Sequence, residues 1–403
     1  MDLNYGPEYE QFRAQLRHFV ATHEAPVPGR RNTPKDPAAI AWQHLLIEHG
    51  YAARTIPKEF GGAGLAPDIL KSRIIAEEFA NAGVSPGLGG QGISMLVPTL
   101  LEVGSTAQKQ QFIAPTIRGE MVWCQGYSEP GAGSDLANLK TSAVLAGDDW
   151  TINGQKIWTS TAHLADWMFC LVRTEPDAPK HRGISFLLFR MDTPGIEVRP
   201  LIDMTMHRNF NEVFFTDVRV PKDQMVGRRG DGWMVANVIL KNERDSLADA
   251  NQSLARLNLV ISLMKTETVD GQPLIENPQF LDRLMRLQGR VMAMQYNELR
   301  VLSSKLNPGQ DAQLARLITK YQGTELRHEL EALAIDVMGE RGLAYGDNPY
   351  VQDKGSWQFW YMFYLGLIIG GGTSQIQKNI ISEHGLGMPR EPKASAEHRA
   401  GAR

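Results

Sequence analysis

Apolar positions recur every three to four residues through the first part of the chain: Tyr9, Phe12, Leu16, Phe19 and Val20 form one set, and Ile40, Leu45 and Ile47, with His44, another. Each set falls on one face of a helix, as does a third periodic stretch, 69–79, between glycine-rich loops. From 122 to 220 the pattern changes to short β-branched and aromatic runs punctuated by turn residues. Runs at 167–172, 184–189, 196–198 and 213–215 predict strands. Trp150-Thr151-Ile152 and Lys156-Ile157-Trp158 flank Asn153-Gly154, a pair that tolerates positive φ and predicts a hairpin turn. After Gly230-Asp231-Gly232 the helical period returns and persists to about Ser382. The longest apolar run, 359–372, ends in a glycine triplet; it is too short to span a bilayer and predicts a buried helix. The expected organisation is α+β and multidomain: an N-terminal helical domain over 1–121, a central β-barrel over 122–226, a C-terminal helical bundle over 227–388, and a flexible polar tail over 389–403.

Composition narrows the class. The chain has 403 residues, 42% hydrophobic and 22% charged, which is ordinary globular usage and predicts a sizeable core. A formal charge of −3 without a dense Lys/Arg run removes the electrostatic case for nucleic acid or an anionic membrane. Cys124 and Cys170 have neither CxxC spacing nor nearby histidine clusters, so a disulfide framework and a Cys-type metal site are not expected. Two cysteines suit a reducing cytosol. The start, Met1-Asp2-Leu3-Asn4-Tyr5, lacks a basic and an apolar region, so no secretory signal is expected and the protein reads as cytoplasmic, without membrane insertion.

Two familiar motifs fail on context. Gly87-x-Gly89-x-x-Gly92 matches a dinucleotide fingerprint by letters, but such a fingerprint follows a strand and opens a helix, and here residues 74–82 read as helical. Gly126-Tyr127-Ser128-Glu129-Pro130 resembles a nucleophile elbow yet lacks the closing glycine. The sequence contains neither a phosphate-binding GK[ST] loop nor HExxH.

Three stretches remain: Trp123 to Asp135, reading WCQGYSEPGAGSD; Gly154 to Ser160, reading GQKIWTS; and Gly370 to Asn379, reading GGGTSQIQKN. In order and spacing they resemble the signatures of the acyl-CoA dehydrogenase family, and the resemblance covers nearly the whole chain. It implies FAD as cofactor, an acyl-CoA as substrate, and α,β-dehydrogenation of the thioester to a 2-enoyl-CoA. A flavin ring is flat, apolar on its faces and polar along one edge, so it needs an aromatic wall and donors at fixed height. By resemblance Trp158 packs against the isoalloxazine, and Thr159 is a cofactor-binding residue. Ser128 and Ser160 meet its reactive edge, and Gln125 and Tyr127 the pyrimidine side. Thr373 and Gln375 touch FAD. Ser134 meets CoA, and the Gly372 amide meets the thioester. Each has a plainer alternative: Trp158 as an aromatic covering a hairpin, the Pro130–Gly133 loop as a tight turn, and Thr373 as a helix N-cap.

The chain departs from the family in two places. Many members carry the base that takes the α-proton as a glutamate directly before the Gly-Thr pair, and Gly371 stands there. A second group places the carboxylate on an earlier helix, before an arginine, and Glu243-Arg244 matches that place. Around Glu243, Ile239, Leu240, Ser246 and Leu247 form a largely apolar face without a cation at i±3 or i±4. Desolvation on such a face raises a carboxyl pKa toward that of a useful base. Arg244, by resemblance, lies near acyl-CoA. The second departure is the absence of arginine from 266–275, where many members supply a residue to a neighbouring subunit's FAD pyrophosphate; Asp336 also replaces a usual glutamine. Both losses resemble the subset acting on bulky acyl groups, including steroid side chains. The implied partners are electron-transfer flavoprotein as acceptor and an oligomer, either a homodimer or homotetramer or a hetero-oligomer with a related subunit. Three roles stay open: dehydrogenase, non-catalytic subunit of a mixed oligomer, or a flavin monooxygenase or desulfinase of the same fold.

Overall fold

Capping chemistry sets the helix boundaries at the start of the chain. The computed structural model describes residues 6–26, 35–246, 250–306 and 312–390, and the chain divides into two compact units, Met1–Glu243 and Arg244–Arg403. In the first, α1 (Pro7–Thr22) and α2 (Pro37–Glu48) begin on proline, whose fixed φ suits the first turn. The α3 helix (Ile69–Ala82) is capped by Asp68 and ends on left-handed Gly83. A π turn (Gly92–Leu96) leads into α4 (Val97–Val103), and Ser105 and Gln108 form a capping box for α5 (Thr106–Ile117). Leu16, Phe19, Trp42, Leu46, Ile74 and Phe79 make the core of α1–α3. The 87–92 glycines follow α3 rather than a strand, so the dinucleotide reading stays excluded.

The strands are β1 (Trp123–Gly126), β2 (Ser142–Ala146), β3 (Asp149–Lys156), β4 (Trp167–Arg173), β5 (Ile184–Arg190), β6 (Ile196–Leu201), β7 (Phe210–Pro221) and β8 (Met225–Val226). They form one sheet in the order β6-β7-β3-β2-β4-β5-β8, with β1 parallel to β4. This corrects the expected barrel. The β6 and β8 edges do not pair with each other, and β2 meets β4 through a single residue pair, Ser142↔Arg173. The sheet curls instead. Met168, Cys170, Leu187 and Phe189 from β4 and β5 share a core with Trp150, Ile152, Val213 and Phe215 from β3 and β7. The opposite face of β4 and β5 buries Phe169, Leu171, Phe186 and Leu188 with Phe112 and Ile113 of α5 and with Val235, Ala236 and Ile239 of α6 (Gly232–Ser246). Burial on both faces explains why these two strands read as continuous apolar runs.

Asn153-Gly154 is a second correction. The hairpin turn is Gly147-Asp148, joining β2 to β3, while Asn153-Gly154 lies inside β3 as a bulge against β7. Gly154 sits at φ +149, and a Cβ there would meet Thr141 Cα at 2.7 Å. Asn153 exchanges hydrogen bonds with Asp217, its Nδ2 donating at 3.0 Å and its Oδ1 accepting the Asp217 N–H at 2.9 Å. The dipeptide therefore serves close strand approach rather than reversal.

The second unit contains α7 (Ala250–Thr266), a β9–β10 ribbon (Thr268–Val269, Gln272–Pro273), α8 (Pro278–Leu306), α9 (Gln313–Met338), α10 (Ser356–Ile369) and α11 (Ser374–Ile380). The α9 helix is central, packing against α7, α8, α10 and α11. Its Leu326, Leu330 and Leu333 meet Leu257 and Val260 of α7 and Leu287 and Val291 of α8. Glu331, fully buried, takes both guanidinium contacts of Arg256 at 2.7 and 2.6 Å, and Arg256 lies 4.2 Å from the Trp357 ring centre. The helix expected to be buried, α10, buries only Trp357, Gln358 and Tyr364, and Ile369 is 65% exposed. An apolar run alone does not say how much of a helix its own chain covers.

Candidate functional site

Two strand exits carry most of the predicted site, and a buried ion pair ties them together. Lys156, at the end of β3, is fully buried; its Nζ lies 2.8 Å from Glu129 Oε1 and donates to the Tyr127 carbonyl at 3.1 Å. Glu129 also accepts the backbone N–H groups of Lys140 and Thr141, at 2.6 and 2.9 Å. Burial pushes its carboxyl upward, but the Lys156 ammonium and these donors outweigh that and hold it below the usual carboxylate range. The Ile157 N–H donates to the Ser128 carbonyl at 2.9 Å. The segment leaving β1 and the segment leaving β3 are thus fixed side by side, bringing Ser128 next to the Trp158–Ser160 stretch.

Trp158 departs from the ordinary in two ways. It adopts left-handed φ +60, uncommon for a bulky residue, and its side chain is 59% exposed, touching Phe210 edge-on at 6.0 Å between ring centres. Ser128 and Ser160 are half-buried beside it. Thr159 turns inward: it is 1% exposed, and its backbone exchanges hydrogen bonds with Asn211 at 3.0 Å in both directions. Gln125 is half-buried on β1, accepting from Gln91 Nε2 at 3.4 Å, and Tyr127 is buried. A tight turn at Glu129–Ala132, closed by two backbone bonds of 3.1 and 3.0 Å, presents exposed Ser134 two residues on.

In the second unit the glycine triplet ends α10. Gly371 and Gly372 lie at φ +64 and +94, and among the described residues neither of their N–H groups meets an acceptor. Thr373 is the N-cap of α11, accepting the Ile376 N–H at 3.2 Å, and Gln375 is exposed on the first turn. Glu243 and Arg244 have their backbone in α6; their side chains lie outside the described residues. The arginine-free stretch 266–275 forms the β9–β10 ribbon, and Glu267 pairs with Arg341 from beyond α9. Asp336 pairs with Arg283 at 2.7 Å.

Sequence reasoning missed the Glu129–Lys156 pair, although both residues stand inside the quoted stretches. A lysine alternating with apolar residues at the end of a strand was the available signal. It also missed Lys320 and Gln377, which hold the glycine loop and lie far from it in sequence or inside α11. The exposed Trp158 ring fits the flat face of a cofactor such as FAD. Among the described residues no group of His, Cys, Asp and Glu could hold a metal ion, and no helix is long and apolar enough to cross a membrane.

Comparison with known proteins covers most of the chain. Residues 6–120, 124–218 and 230–386 match the N-terminal, middle and C-terminal domains of acyl-CoA dehydrogenase. The acyl-CoA dehydrogenase IpdE1 of Mycobacterium tuberculosis is 37% identical over 401 residues, spanning 96% of this chain and 99% of its own. Among solved structures, the ChsE4–ChsE5 complex of Mycobacterium tuberculosis is similar with a TM-score of 0.80 and 31% identity, covering 97% of this chain and 100% of that one. A steroid ACAD, Tcur3481–Tcur3483, gives 0.81 and 27%, with the same coverage.

Proposed function

The chain belongs to the acyl-CoA dehydrogenase family, an oxidoreductase family acting on acyl-CoA thioesters, and we propose that its substrate is a bulky or branched acyl-CoA, its cofactor FAD and its base Glu243. The observation that carries this reading is Gly371. The position before Gly372 lacks a side chain that could take a proton and holds a left-handed backbone, so the base must come from elsewhere. Glu243, followed by Arg244 on α6, occupies the alternative place.

FAD, when bound, supplies the two-electron oxidant. Glu243 takes the α-proton as the β-hydrogen leaves with its electron pair, and the Cα–Cβ double bond forms from the electrons of the broken Cα–H bond. The Gly372 N–H polarises the thioester carbonyl, which acidifies the α-carbon and makes proton removal feasible near neutral pH. Trp158 walls the flavin, Ser128 and Ser160 donate toward its edge, and Thr373 and Gln375 contact it. Thr159 supports this wall through its backbone bonds to Asn211 in this reading, since its side chain faces inward. Ser134 and Arg244 contact the CoA thioester. Electron-transfer flavoprotein is the acceptor that completes the cycle, in the cytoplasm.

Two relatives are structures of named pairs, ChsE4–ChsE5 and Tcur3481–Tcur3483. That pairing, with the missing arginine in 266–275, favours a mixed oligomer in which a second chain completes the FAD site. Anaerobic incubation with butyryl-, octanoyl-, isobutyryl- and steroid-side-chain-CoA, alone and after co-expression with a related subunit, tests both points. Flavin bleaching fastest with a branched or steroid thioester is expected. Fastest bleaching with butyryl-CoA would overturn the substrate assignment, and no bleaching with any thioester, alone or paired, would overturn the dehydrogenase reading itself.

A further inference from the structure

The α8 helix carries apolar residues on two faces, and its own chain covers one of them. Leu284, Leu287, Val291 and Met294 are buried in the core of the second unit. Leu281, Met285, Met292 and Tyr296 face away from it, 37%, 48%, 46% and 65% exposed. At about 100° and 1.5 Å per residue these four fall within about 60° of one another, on one stripe about 22 Å long. No charged residue falls within it. Arg283 and Arg290 turn to Asp336 and Glu329 of α9, and Arg286 turns to Asp282. An uncharged stripe of leucine, methionine and tyrosine has the composition of an interface centre rather than of a solvated helix face.

The spacing of the stripe is a palindrome. Tyr296 lies as far after the midpoint between Gln288 and Gly289 as Leu281 lies before it, and Met292 mirrors Met285. A two-fold axis through that midpoint lays a second α8 antiparallel on the first, with Met285 against Met292 of the second copy and Leu281 against its Tyr296. A two-fold contact requires a patch that complements itself in this way. Gly289 stands beside the axis. It is exposed, it lies mid-helix where glycine weakens the structure, and a Cβ there would meet nothing within 4 Å. Its own chain gives no reason for glycine, whereas two helix backbones crossing closely at the midpoint do. We propose that α8 is a self-association face, pairing antiparallel with the α8 of a second copy of this chain about a two-fold axis between Gln288 and Gly289. The assignment stands apart from the activity proposed above.

Two cysteines test the register. Met285→Cys with Met292→Cys sets a thiol of one copy against a thiol of the other across the axis. Within one chain the two positions lie about 10 Å apart along the helix, too far for a disulfide, whose Cα atoms lie within about 7 Å. In the antiparallel pair each single cysteine lies equally far from its counterpart. Cys124 and Cys170 are buried, which keeps background crosslinking low. Under mild oxidation the purified double variant should give a covalent dimer on a non-reducing gel, with a 285–292 linkage by mass spectrometry, and neither single variant should. Met285→Glu with Met292→Glu sets four carboxylates into the contact and should raise the dissociation constant in sedimentation about 10²-fold. Its melting should stay cooperative, since both positions are exposed on the isolated chain. Adding Gly289→Leu to the cysteine pair should abolish crosslinking by holding the backbones apart. No covalent dimer in the double variant, or equal crosslinking in a single one, would overturn the antiparallel register. Wild type sedimenting as a monomer at tens of micromolar would overturn the contact. A 285–292 linkage formed only with a co-expressed related subunit would overturn the second copy as its occupant.

Discussion

Lys156→Met removes the ammonium from the ion pair that joins the two strand exits and leaves Glu129 ionised, 8% exposed. Breaking a buried pair from one side costs about 3–5 kcal/mol. Glu129 keeps two backbone donors, at 2.6 and 2.9 Å, so the low end, about 3 kcal/mol, is expected. For a unit of this size each kcal/mol moves Tm by about 2–4 °C, giving a loss of about 6–12 °C at pH 7. The pH dependence has a definite sign. In wild type the folded Glu129 carboxyl is depressed, so its contribution is present above the unfolded pKa and fades as pH falls through the folded one. Without Lys156, burial acts with less opposition and the folded carboxyl rises, so the variant gains relative stability on acidification. The penalty should therefore shrink between pH 7 and pH 4. Calorimetry across that range measures it, and any bound flavin should be released at a lower temperature because the strand exits keep only the Ile157–Ser128 backbone bond among the two ties described above. A penalty that grows on acidification, or an unchanged Tm at pH 7, would refute the reasoning.

Glu243→Gln keeps size and reach but cannot take the α-proton, so single-turnover flavin reduction should fall about 10²–10⁴-fold with FAD content and acyl-CoA binding retained; near-normal reduction would remove Glu243 from the mechanism. Adding Gly371→Glu to Glu243→Gly moves the carboxylate to the other family position, but at φ +64 a glutamate costs about 1–3 kcal/mol, so only partial recovery of reduction is expected, with a lowered Tm. Arg256→Met should destabilise by about 3–5 kcal/mol in chemical denaturation. The Glu331 carboxyl is raised mainly by burial against the pull of Arg256, so its contribution is lost as pH rises through its folded value and the penalty should widen from pH 4 to pH 7.

The helices at both ends were legible from the apolar period, and the structure adds the residues that open them, among them Pro7, Pro37, Asp68 and Thr373. The strands at 167–172 and 184–189 were legible because every position that the fold buries there is apolar except Ser185. Closure was not. Whether a curled sheet joins its edges depends on pairing between residues far apart in sequence, and nothing local in β6 or β8 records that they stay unpaired. Asn153-Gly154 misled because the same permissive φ serves a turn or a bulge. The deciding neighbour, Thr141, lies on the adjoining strand segment, and Asp217 lies on another.

The site divides along the same line. The candidate residues Trp158, Ser128 and Thr373 stand inside contiguous stretches. Residues that hold those groups act through backbone carbonyls, which carry no side-chain signature. Lys156 reaches the Tyr127 carbonyl, Gln377 the Gly371 carbonyl and Lys320 the Gly372 carbonyl, so in each case the sequence names the donor without its acceptor. The loss of a side chain at Gly371 makes this more consequential. A glutamate there could be anchored by contacts of its own, whereas a glycine depends on its neighbours for orientation. At this loop those neighbours are Gln377 and Lys320, whose side chains donate to the two glycine carbonyls.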